Sequence, residues 1–540
     1  MKSLRFKSAI MAAAMFVVFV GNQLSAGGGS QSGTSSAPAA SSVAGKSIVR
    51  VGIQFDPGTL TPFTARNAGM VATYRSLYEY LIDRDTFGGE MVGCLMKSWK
   101  QVDNVTYQIT LYDYIVDSAG NKMKASDIKF SYDTAIASGT QPKLSVIDTV
   151  SVVDQYTAAF KFKSPLALGD LEAVWSEIPV ITEAAYKASP DKMATIPIST
   201  HAYKVTEVSA GSKIVLQKTG KYWQTDTSKM PLAAKSNVDT IEFHIIREAA
   251  QLVIALETGA IDITANIGNA RQVSRFQPGG NLANNFTVYN YMNNPCYVLL
   301  FNCAKGNVFA DNGALRQAVA YAIDTKGIVD GVFGGNAVAL KAVGSSKYGD
   351  YIKAWDSKPY YEYDLAKAKS LMSQAGYPNG GLKLKLLVTN SEAIVNMATI
   401  IQGYLSQIGI TAEIVPYEAA MFKSLQNDPT AYDICIDTYA STDYVVNIWK
   451  LSMDSRNYNG RTVNFITDSK LQSQIEQSST IQGHTAANID ALSTYLNDNM
   501  YIYGLAVDLG FVVSNKRVTG ILLDSRNSVI PASCSYDFSK

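Results

Sequence analysis

Two short runs of this chain carry residue types that could support covalent chemistry. Ser189 and Lys192 stand at S-x-x-K spacing, and a Lys-Thr-Gly run begins at Lys218. In enzymes with a serine nucleophile, such boxes supply the reacting hydroxyl and a basic partner. Those enzymes separate the boxes widely and place an S-D-N-like element between them. Here the two lysines are only about 26 residues apart, and residues 200–217 contain no such element, so the spacing weighs against a serine enzyme.

The histidines and cysteines do not form a metal-binding pattern. The three histidines, His201, His244 and His484, are far apart, and neither H-x-x-x-H nor C-x-x-C spacing is present. A P-loop and a dinucleotide-binding fingerprint are absent as well. We therefore predict no metal and no cofactor, and we interpret His201 as a surface or loop residue.

Five cysteines are too few for a disulfide scaffold. Within one extended strand, Cys296 and Cys303 would be about 23 Å apart, given the rise per residue of a strand. A disulfide requires Cα atoms within ~7 Å of each other. A bridge between Cys303 and Cys435 on neighbouring strands stays open.

The first 26 residues have the pattern of an export signal. Three basic residues precede a mostly apolar stretch at residues 9–20, which is too short to span a bilayer. Leu24-Ser25-Ala26 resembles the start of a bacterial lipobox, but Gly27 replaces the cysteine that would carry the lipid. Residues 27–46 are rich in Gly, Ser and Ala and predict a flexible linker. We expect export to the cell surface or periplasm, and Gly27 argues against a lipid anchor.

The charge of the exported chain is close to neutral. Removing residues 1–26 takes away three basic and no acidic residues, which leaves 44 basic against 46 acidic side chains. Without basic blocks, the composition gives no electrostatic case for binding nucleic acid. The remaining roughly 500 residues are enough for two or more domains.

Residues 297–335 predict a strand followed by two capped helices. Residues 297–301 form an apolar run suited to a buried strand, and apolar residues then recur at helical spacing. Asp311 and Asp324 are good N-caps, and Gly334 can end the second helix in the left-handed conformation. We assign Arg316 to packing rather than to ligand contact.

Further elements follow the same logic along the chain. Strands and helices alternate, which indicates an α/β fold. We predict strands at 47–55, 98–100, 106–111, 384–388, 411–415 and 432–439, helices at 70–81, 249–256 and 391–408, a helix start near Asp127, and a helix capped by Asp364.

Several motifs follow one another in a recognisable order. They include Leu77 to Leu81, Trp99, Thr106 to Leu111, Tyr222-Trp223, Ile261-Asp262-Ile263, Phe301-Asn302, Arg316-Gln317-Ala318, Tyr321 to Asp324 and Gly334-Gly335. In order and spacing they resemble the family 5 extracellular solute-binding proteins. The resemblance runs from about residue 49 to about residue 521, although the turn at residues 199–203 departs from the family pattern.

The resemblance implies a non-enzymatic component of an ABC importer. The expected fold is α/β and two-lobed, of the type II periplasmic-binding-protein class, with an inserted α/β domain and a hinge between the lobes. The implied division is a signal peptide at 1–26, a linker at 27–46, lobe I at 47–79, 190–291 and 499–540, an inserted domain at 80–189, and lobe II at 292–498.

The resemblance also implies a set of ligand-binding residues. Asp443 and Tyr444 match a segment in which a strand enters the cleft and an aspartate binds the α-amino group of a peptide. Tyr439 stands where the family has a tryptophan that lines the cleft. Phe55 and Thr59 match a segment that approaches the ligand backbone. The alternative for Asp443 is that it caps the helix expected at residues 445–451.

We therefore expect a monomer that captures peptides between its lobes and delivers them to an ABC permease in the membrane. The fold alone does not fix the ligand. The alternatives are a binding protein for another solute, such as an oligosaccharide or a metal chelate, a sensory receptor, and a serine penicillin-recognising enzyme.

Overall fold

The structure, a computed structural model, describes residues 47–64, 72–86, 88–265, 270–357, 361–440, 444–457 and 464–537. The predicted signal peptide, the predicted linker and Asp443 lie outside these residues. Among the described helices, none is both long enough and apolar enough to cross a membrane.

Twenty strands form the β-structure of the described residues. They are β1 (Ile48–Ile53), β2 (Ile82–Arg84), β3 (Met91–Gly93), β4 (Met96–Gln101), β5 (Thr106–Leu111), β6 (Ile147–Val152), β7 (Thr157–Phe162), β8 (Tyr203–Ser209), β9 (Lys213–Lys218), β10 (Thr240–Ile245), β11 (Ile263–Thr264), β12 (Phe286–Met292), β13 (Cys296–Phe301), β14 (Ala337–Ala339), β15 (Leu382–Thr389), β16 (Ile410–Tyr417), β17 (Ile434–Tyr439), β18 (Ile502–Asn515), β19 (Val518–Thr519) and β20 (Ser535–Tyr536).

Thirteen α-helices accompany these strands in the described part of the chain. They are α1 (Ala125–Ser138), α2 (Leu168–Trp175), α3 (Glu183–Ala188), α4 (Ala249–Glu257), α5 (Ala270–Val273), α6 (Gly313–Ala322), α7 (Thr325–Phe333), α8 (Leu365–Gln374), α9 (Glu392–Ser406), α10 (Ala419–Gln426), α11 (Val445–Met453), α12 (Ser469–Ser479) and α13 (Ala486–Asn499).

One large sheet runs through the molecule in the order β16-β15-β17-β13-β18-β11-β1-β10-β9-β8. The long strand β18 lies in the middle of this order and takes part in both halves of the sheet. The start of β18 pairs with β13, and its end pairs with β11 and β12. Its residues are almost all buried, as expected of a strand covered on both faces. β18 therefore joins two halves of the sheet by backbone hydrogen bonds.

The two halves of the large sheet have separate hydrophobic cores. One core surrounds β13, β15 and β17 and draws its residues from the part of the chain between Cys296 and Val507. The other surrounds β1 and β10 and includes residues from both ends of the described chain, from Val49 to Cys534. Each half of the sheet therefore packs around its own set of buried residues.

A smaller antiparallel sheet, in the order β4-β5-β7-β6, packs against α1 and α2. Trp175 at the end of α2 contacts Tyr107 and Trp99 of this sheet, with ring centroids 6.0 and 5.4 Å apart. The Tyr132 hydroxyl in α1 donates a hydrogen bond to the carbonyl oxygen of Val174 at 3.0 Å. These contacts fix α2 rigidly to the small sheet.

Most predicted elements are present, and the differences have local causes. Asp324 and Asp364 cap α7 and α8 as predicted, by accepting hydrogen bonds from backbone amides. The prediction for Asp311 is wrong, because the neighbouring Asn312 caps α6 and accepts from the Leu315 amide. Both side chains offer an oxygen at the right place, so sequence alone did not separate them.

The helix predicted at residues 70–81 is also wrong over its second half. Residues 72–74 are helical, and a turn replaces the helix at residues 75–77. The Glu79 amide bonds to the Thr200 hydroxyl at 3.1 Å instead of to a helical carbonyl. All five cysteines are free and buried, so Cys303 and Cys435 are not bridged in this structure.

A buried carboxyl group joins two of the sequence motifs. Glu79 is 3 % exposed, and its carboxylate accepts hydrogen bonds from the Tyr222 hydroxyl and from Trp223 Nε1, the latter at 2.5 Å. Burial raises the pKa of Glu79 to about 8, although the two hydrogen bonds oppose this shift. The Glu79 side chain thus links the Tyr-Glu motif to the Tyr-Trp motif.

We predict that Glu79 makes stability fall as pH rises. Between its ordinary pKa of 4.5 and about 8, the folded state retains a proton that the unfolded state has released. The free energy of unfolding should therefore decrease from pH 5 to pH 8, by at most about 1.4 kcal/mol per pH unit from this group. Glu79→Gln should flatten that slope in denaturant titrations.

Glu392→Gln, at the exposed start of α9, is the matched control for this measurement and should leave the slope unchanged. Parallel pH profiles for wild type and Glu79→Gln would show that Glu79 does not titrate in this window.

Candidate functional site

A cavity of about 420 Å³ lies between α2 and α11. It is bounded by two parts of the chain that belong to different cores, since α2 packs on the small sheet and α11 packs on the half-sheet around β13. Its lining residues are Lys143, Val146, Leu166, Gly169, Asp170, Ala173, Val174, Ala440, Asn447, Lys450 and Leu451. A cavity bounded by separately packed units is a common location for ligand binding.

A buried arginine connects the two sides beside this cavity. Arg84 is 4 % exposed, and its Nη2 donates to Glu172 Oε2 and to the Tyr444 hydroxyl, both at 2.7 Å. The guanidinium carbon lies 4.9 Å from the centroid of the Tyr444 ring. Its Nη1 also donates to the carbonyl oxygen of Gly89. Arg84 on β2 and Glu172 on α2 thus form an ion pair on one side of the cavity. Tyr444, at the start of α11 on the other side, adds a hydroxyl oxygen as a further acceptor for Arg84.

A second contact closes the rim of the cavity. Lys450 Nζ on α11 lies 2.6 Å from Asp170 Oδ2 on α2. At the preceding position, Gly169 allows the helices to approach closely, because a Cβ there would meet the Asn447 amide and would lie 2.9 Å from Tyr444 Cδ2. The absence of a side chain at Gly169 is therefore required for this arrangement of α2 and α11.

Asp350 caps the helix that carries Tyr444 and Lys450. Its carboxylate accepts hydrogen bonds from the Val445 amide at 2.6 Å and from the Val446 amide at 3.2 Å. Burial raises the pKa of Asp350 to about 6, while these hydrogen bonds oppose the shift. Two of the free amides at the start of α11 are thus bonded by a residue about 95 positions away in the sequence.

His484 packs against the other side of Tyr444. The two ring centroids are 4.6 Å apart in an edge arrangement, and His484 Nε2 lies 3.8 Å from Asp350 Oδ2. His484 Nδ1 is 3.1 Å from the carbonyl oxygen of Ser478. Burial lowers the pKa of His484, and the charge of Arg84 acts in the same direction. These contacts fix the orientation of the Tyr444 ring toward Arg84.

The structure does not bring all the predicted site residues together. Tyr444 lies at the contact between the two sides, whereas Asp443 is outside the described residues. Tyr439 has no exposed surface and is part of the core around β17. Phe55 is 55 % exposed just after β1, and the Thr59 hydroxyl bonds to Thr61 Oγ1 at 3.2 Å. Phe55 and Thr59 follow β1, which belongs to the other half of the large sheet.

The residues of the two serine-enzyme boxes have structural roles. The Ser189 hydroxyl donates to Asp191 at 2.8 Å and accepts from the Met193 amide, which closes a turn. Lys218 Nζ donates to the carbonyl oxygen of Ser236. Within the described chain, no three His, Cys, Asp or Glu side chains are grouped so that they could hold a metal ion.

The interpretation of His201 as a surface residue is wrong. His201 is 4 % exposed and lines a second, more polar cavity of about 390 Å³. Burial lowers its pKa to about 3, so the ring is neutral at physiological pH. Its loop position was evident from the sequence, but its burial depends on packing against Tyr203 and Tyr222.

Sequence reasoning missed Arg84, Gly169, Asp170, Asp350 and Lys450 as site residues. Arg84 and Tyr444 are separated by 360 positions, and Asp170 and Lys450 by 280. No local periodicity or motif links residues at such separations. One signal in the sequence could have indicated Lys450 as a site residue: it lies on the helix predicted at 445–451, which directly follows Tyr444.

Most of the chain matches a known protein family. The model of the middle region of the bacterial extracellular solute-binding proteins, family 5, matches residues 90–458. The chain belongs to this family. It is thus a non-catalytic solute-binding component of an ABC importer, from a family of extracellular or periplasmic proteins that bind small solutes.

Individual relatives are similar over most of the family 5 protein. The dipeptide-binding protein of Escherichia coli K12 is 25 % identical over 405 residues, covering 67 % of this chain and 70 % of the relative. The glutathione-binding protein GsiB of Shigella boydii is 24 % identical over 382 residues, covering 69 % of each chain. HbpA2 of Haemophilus parasuis has the same fold, with a TM-score of 0.78, 19 % identity and coverage of 91 % of this chain and 100 % of HbpA2. The predicted α/β, two-lobed class is therefore confirmed.

We predict that Gly169→Val separates α2 from α11. The valine side chain would need space held by the Asn447 amide and the Tyr444 ring, so the two helices must move apart. Small-angle scattering of the purified protein should show an increased radius of gyration. The midpoint of thermal unfolding should change little, because each core keeps its own packing.

Gly403→Val is the matched control, since a Cβ at this exposed helical glycine meets nothing within 4 Å. Identical scattering curves for Gly169→Val, Gly403→Val and wild type would contradict the close contact at Gly169.

Proposed function

We propose that this solute-binding protein captures short peptides between its two lobes and delivers them to a membrane permease. Asp443 binds the α-ammonium group of the peptide, and Tyr444 holds the closed arrangement through Arg84. Phe55 and Thr59 face the peptide backbone from the other lobe. Tyr439 supports the cleft from behind, since its ring is fully buried. The protein acts as a monomer.

In this proposal the chain is divided into two lobes and an inserted domain. The lobes are joined through β18, whose two ends pair with different halves of the large sheet. Lobe I comprises 47–79, 190–291 and 499–540, the inserted domain comprises 80–189, and lobe II comprises 292–498.

The observation that carries the proposal is the capping of α11 by Asp350. The alternative role for Asp443 was to cap this same helix. Because the Val445 and Val446 amides already bond to Asp350, α11 does not require Asp443 as its cap. We therefore assign the carboxylate of Asp443 to the cation that a peptide carries at its N-terminus.

The named ligands of the relatives support the same class. One relative is a dipeptide-binding protein and another is a glutathione-binding protein. Both names denote short peptides. These relatives are 25 % and 24 % identical to this chain. They support peptides as the class of ligand, but they do not indicate a particular peptide.

A thermal-shift screen tests the proposal. A ligand at ~100 times its dissociation constant should stabilise the folded state by about 2.7 kcal/mol, because only the folded state binds it. Some free peptides should raise the unfolding temperature, whereas oligosaccharides, metal chelates and β-lactams should not. A shift with one of those other classes and with no peptide would overturn the proposal.

We predict that Asp443→Ala abolishes tight peptide binding. Removing the carboxylate would leave the ligand ammonium desolvated without its partner, at a typical cost of ~3 to 5 kcal/mol. This corresponds to a loss of affinity of roughly a hundredfold or more. Calorimetric titration should also show weak binding of the N-acetylated peptide to wild type, and the substitution should affect that peptide far less.

Asp498→Ala, at an exposed position near the end of α13, is the control and should bind the free peptide like wild type. Equal affinity of wild type and Asp443→Ala for both free and acetylated peptide would falsify the role of Asp443 as the amino anchor.

A further inference from the structure

We propose that the polar cavity beside His201 is a second binding site, which holds a small organic anion bearing a carboxylate or phosphate group. This site goes beyond the proposed capture of peptides between the lobes and does not depend on it. It is carried by a buried histidine and two hydroxyl groups whose hydrogen-bonding capacity the described residues leave unused, and by two lysines at the same cavity.

The second cavity is separate from the cavity between α2 and α11. The two cavities share no lining residue. Three segments of the chain line the second cavity, within residues 116–120, 199–204 and 219–223. Its volume of about 390 Å³ lies within the range of about 300 to 1,000 Å³ that is typical of pockets for whole small ligands.

The His201 side chain lines this cavity and is almost completely buried. Its ring is held by packing against Tyr203 and Tyr222, and its Nδ1 atom has no hydrogen-bond partner within the described chain. Because burial keeps the ring neutral, it carries one N–H donor and one acceptor nitrogen. Buried polar groups are normally hydrogen-bonded, so His201 brings unused hydrogen-bonding capacity to the wall of the cavity.

Two hydroxyl groups that line the cavity have hydrogens to donate. The Thr200 side chain is 2 % exposed, and its hydroxyl accepts from the Glu79 amide at 3.1 Å but donates to no described residue. The Ser118 hydroxyl accepts from the Ser199 amide at 3.0 Å and likewise has no acceptor in the part of the chain that the structure describes. A hydroxyl group that accepts a hydrogen bond can still donate one. Both groups can therefore donate to an acceptor in the cavity.

The charges of the lining residues favour an anion. Lys204 and Lys221 are exposed and have no acidic partner among the described residues. The lining carboxylate of Asp117 already accepts four hydrogen bonds, from its own turn and from the Thr182 hydroxyl. Two lysines against one aspartate leave one positive charge in excess.

These groups match the chemistry of a carboxylate or a phosphate. Both oxyanions accept hydrogen bonds from hydroxyl, imidazole and ammonium groups, and such charge-assisted bonds are stronger than neutral ones. A bare ion would fill only part of the cavity, and Val116 and Trp223 offer apolar surface to the carbon skeleton of an organic anion. His201 belongs to the turn at residues 199–203, in which this chain departs from the family pattern, so we assign the site to this chain and not to the family.

The test measures anion binding to the full-length exported protein by calorimetric titration and thermal shift. The organic anions are succinate, citrate and 3-phosphoglycerate, and the comparison probes are inorganic phosphate, uncharged erythritol and the cation putrescine. At least one organic anion should bind at millimolar concentration and raise the unfolding temperature, because only the folded state has the cavity. Inorganic phosphate should bind more weakly, and erythritol and putrescine should not bind.

The double substitution of Lys204→Gln and Lys221→Gln tests the position of the site. It should weaken binding of the organic anion by about tenfold or more, since one charge-assisted hydrogen bond contributes at least that factor. The double substitution of Lys369→Gln and Lys383→Gln is the matched control. It removes two exposed lysine charges from α8 and β15 and should bind the anion like wild type.

The substitution His201→Phe tests the buried ring. Phenylalanine keeps an aromatic ring against Tyr203 and Tyr222 but has no ring nitrogen, so binding of the anion should weaken. The free energy of unfolding without ligand should stay the same or increase, because a buried polar atom without a partner is removed. Unchanged anion binding by His201→Phe would show that the ring has only a structural role.

Each remaining outcome either supports or overturns the proposal. Loss of affinity in the Lys204 and Lys221 variant, with none in the Lys369 and Lys383 variant, supports an anion site at this cavity. Equal affinity of the two double variants would show that the anion binds elsewhere or responds only to net charge. The proposal is also overturned if no organic anion binds wild type, or if inorganic phosphate, erythritol or putrescine binds as tightly as the organic anions.

Discussion

The arrangement of the cleft depends on a buried guanidinium that must be surrounded by acceptors. Arg84 is nearly inaccessible to water, and a buried cation without partners would be strongly destabilising. Glu172 supplies the opposite charge from the same side of the cleft, and Tyr444 adds a neutral acceptor from the other side. If α11 moves away, Arg84 keeps Glu172 and exchanges a hydroxyl group for water. The hydrogen bond between Arg84 and Tyr444 can therefore break without leaving an unpaired charge. A contact that forms and breaks reversibly must have this property.

The start of α11 shows how a tertiary contact can take the place of a local helix cap. A helix leaves its first amides without partners within the helix, and a nearby carboxylate is the usual solution. Asp350 provides that carboxylate from a distant loop, and its burial among Val445, Tyr444 and His484 makes the arrangement rigid. The Val445 and Val446 amides are thereby bonded by a side chain from outside their own segment. A tertiary contact thus takes the place of a local helix cap at α11.

Family membership explains the architecture, while specificity is decided by a few side chains. Relatives with similar architecture carry names for different peptides, which agrees with the general rule that function resides in sites placed on a shared fold. In this chain the ion pairs Lys450–Asp170 and Lys143–Glu177 neutralise the charges around the cavity between α2 and α11. What remains on the wall is mainly hydrocarbon. The cavity thus has a chemical character that neither its fold nor its family specifies.

The sequence by itself determined most of the elements and the family. Asp324 and Asp364 cap their helices within a few residues, and β13 follows from one apolar run, so these features depend on local contacts that a sequence displays directly. Only the tertiary structure decided the cap at α11, the pairing of Arg84 with Tyr444 across 360 positions, and the complete burial of Tyr439. The physical reason is that local hydrogen bonds join residues that are neighbours in the chain, whereas these contacts exist only after separately packed parts of the chain have come together.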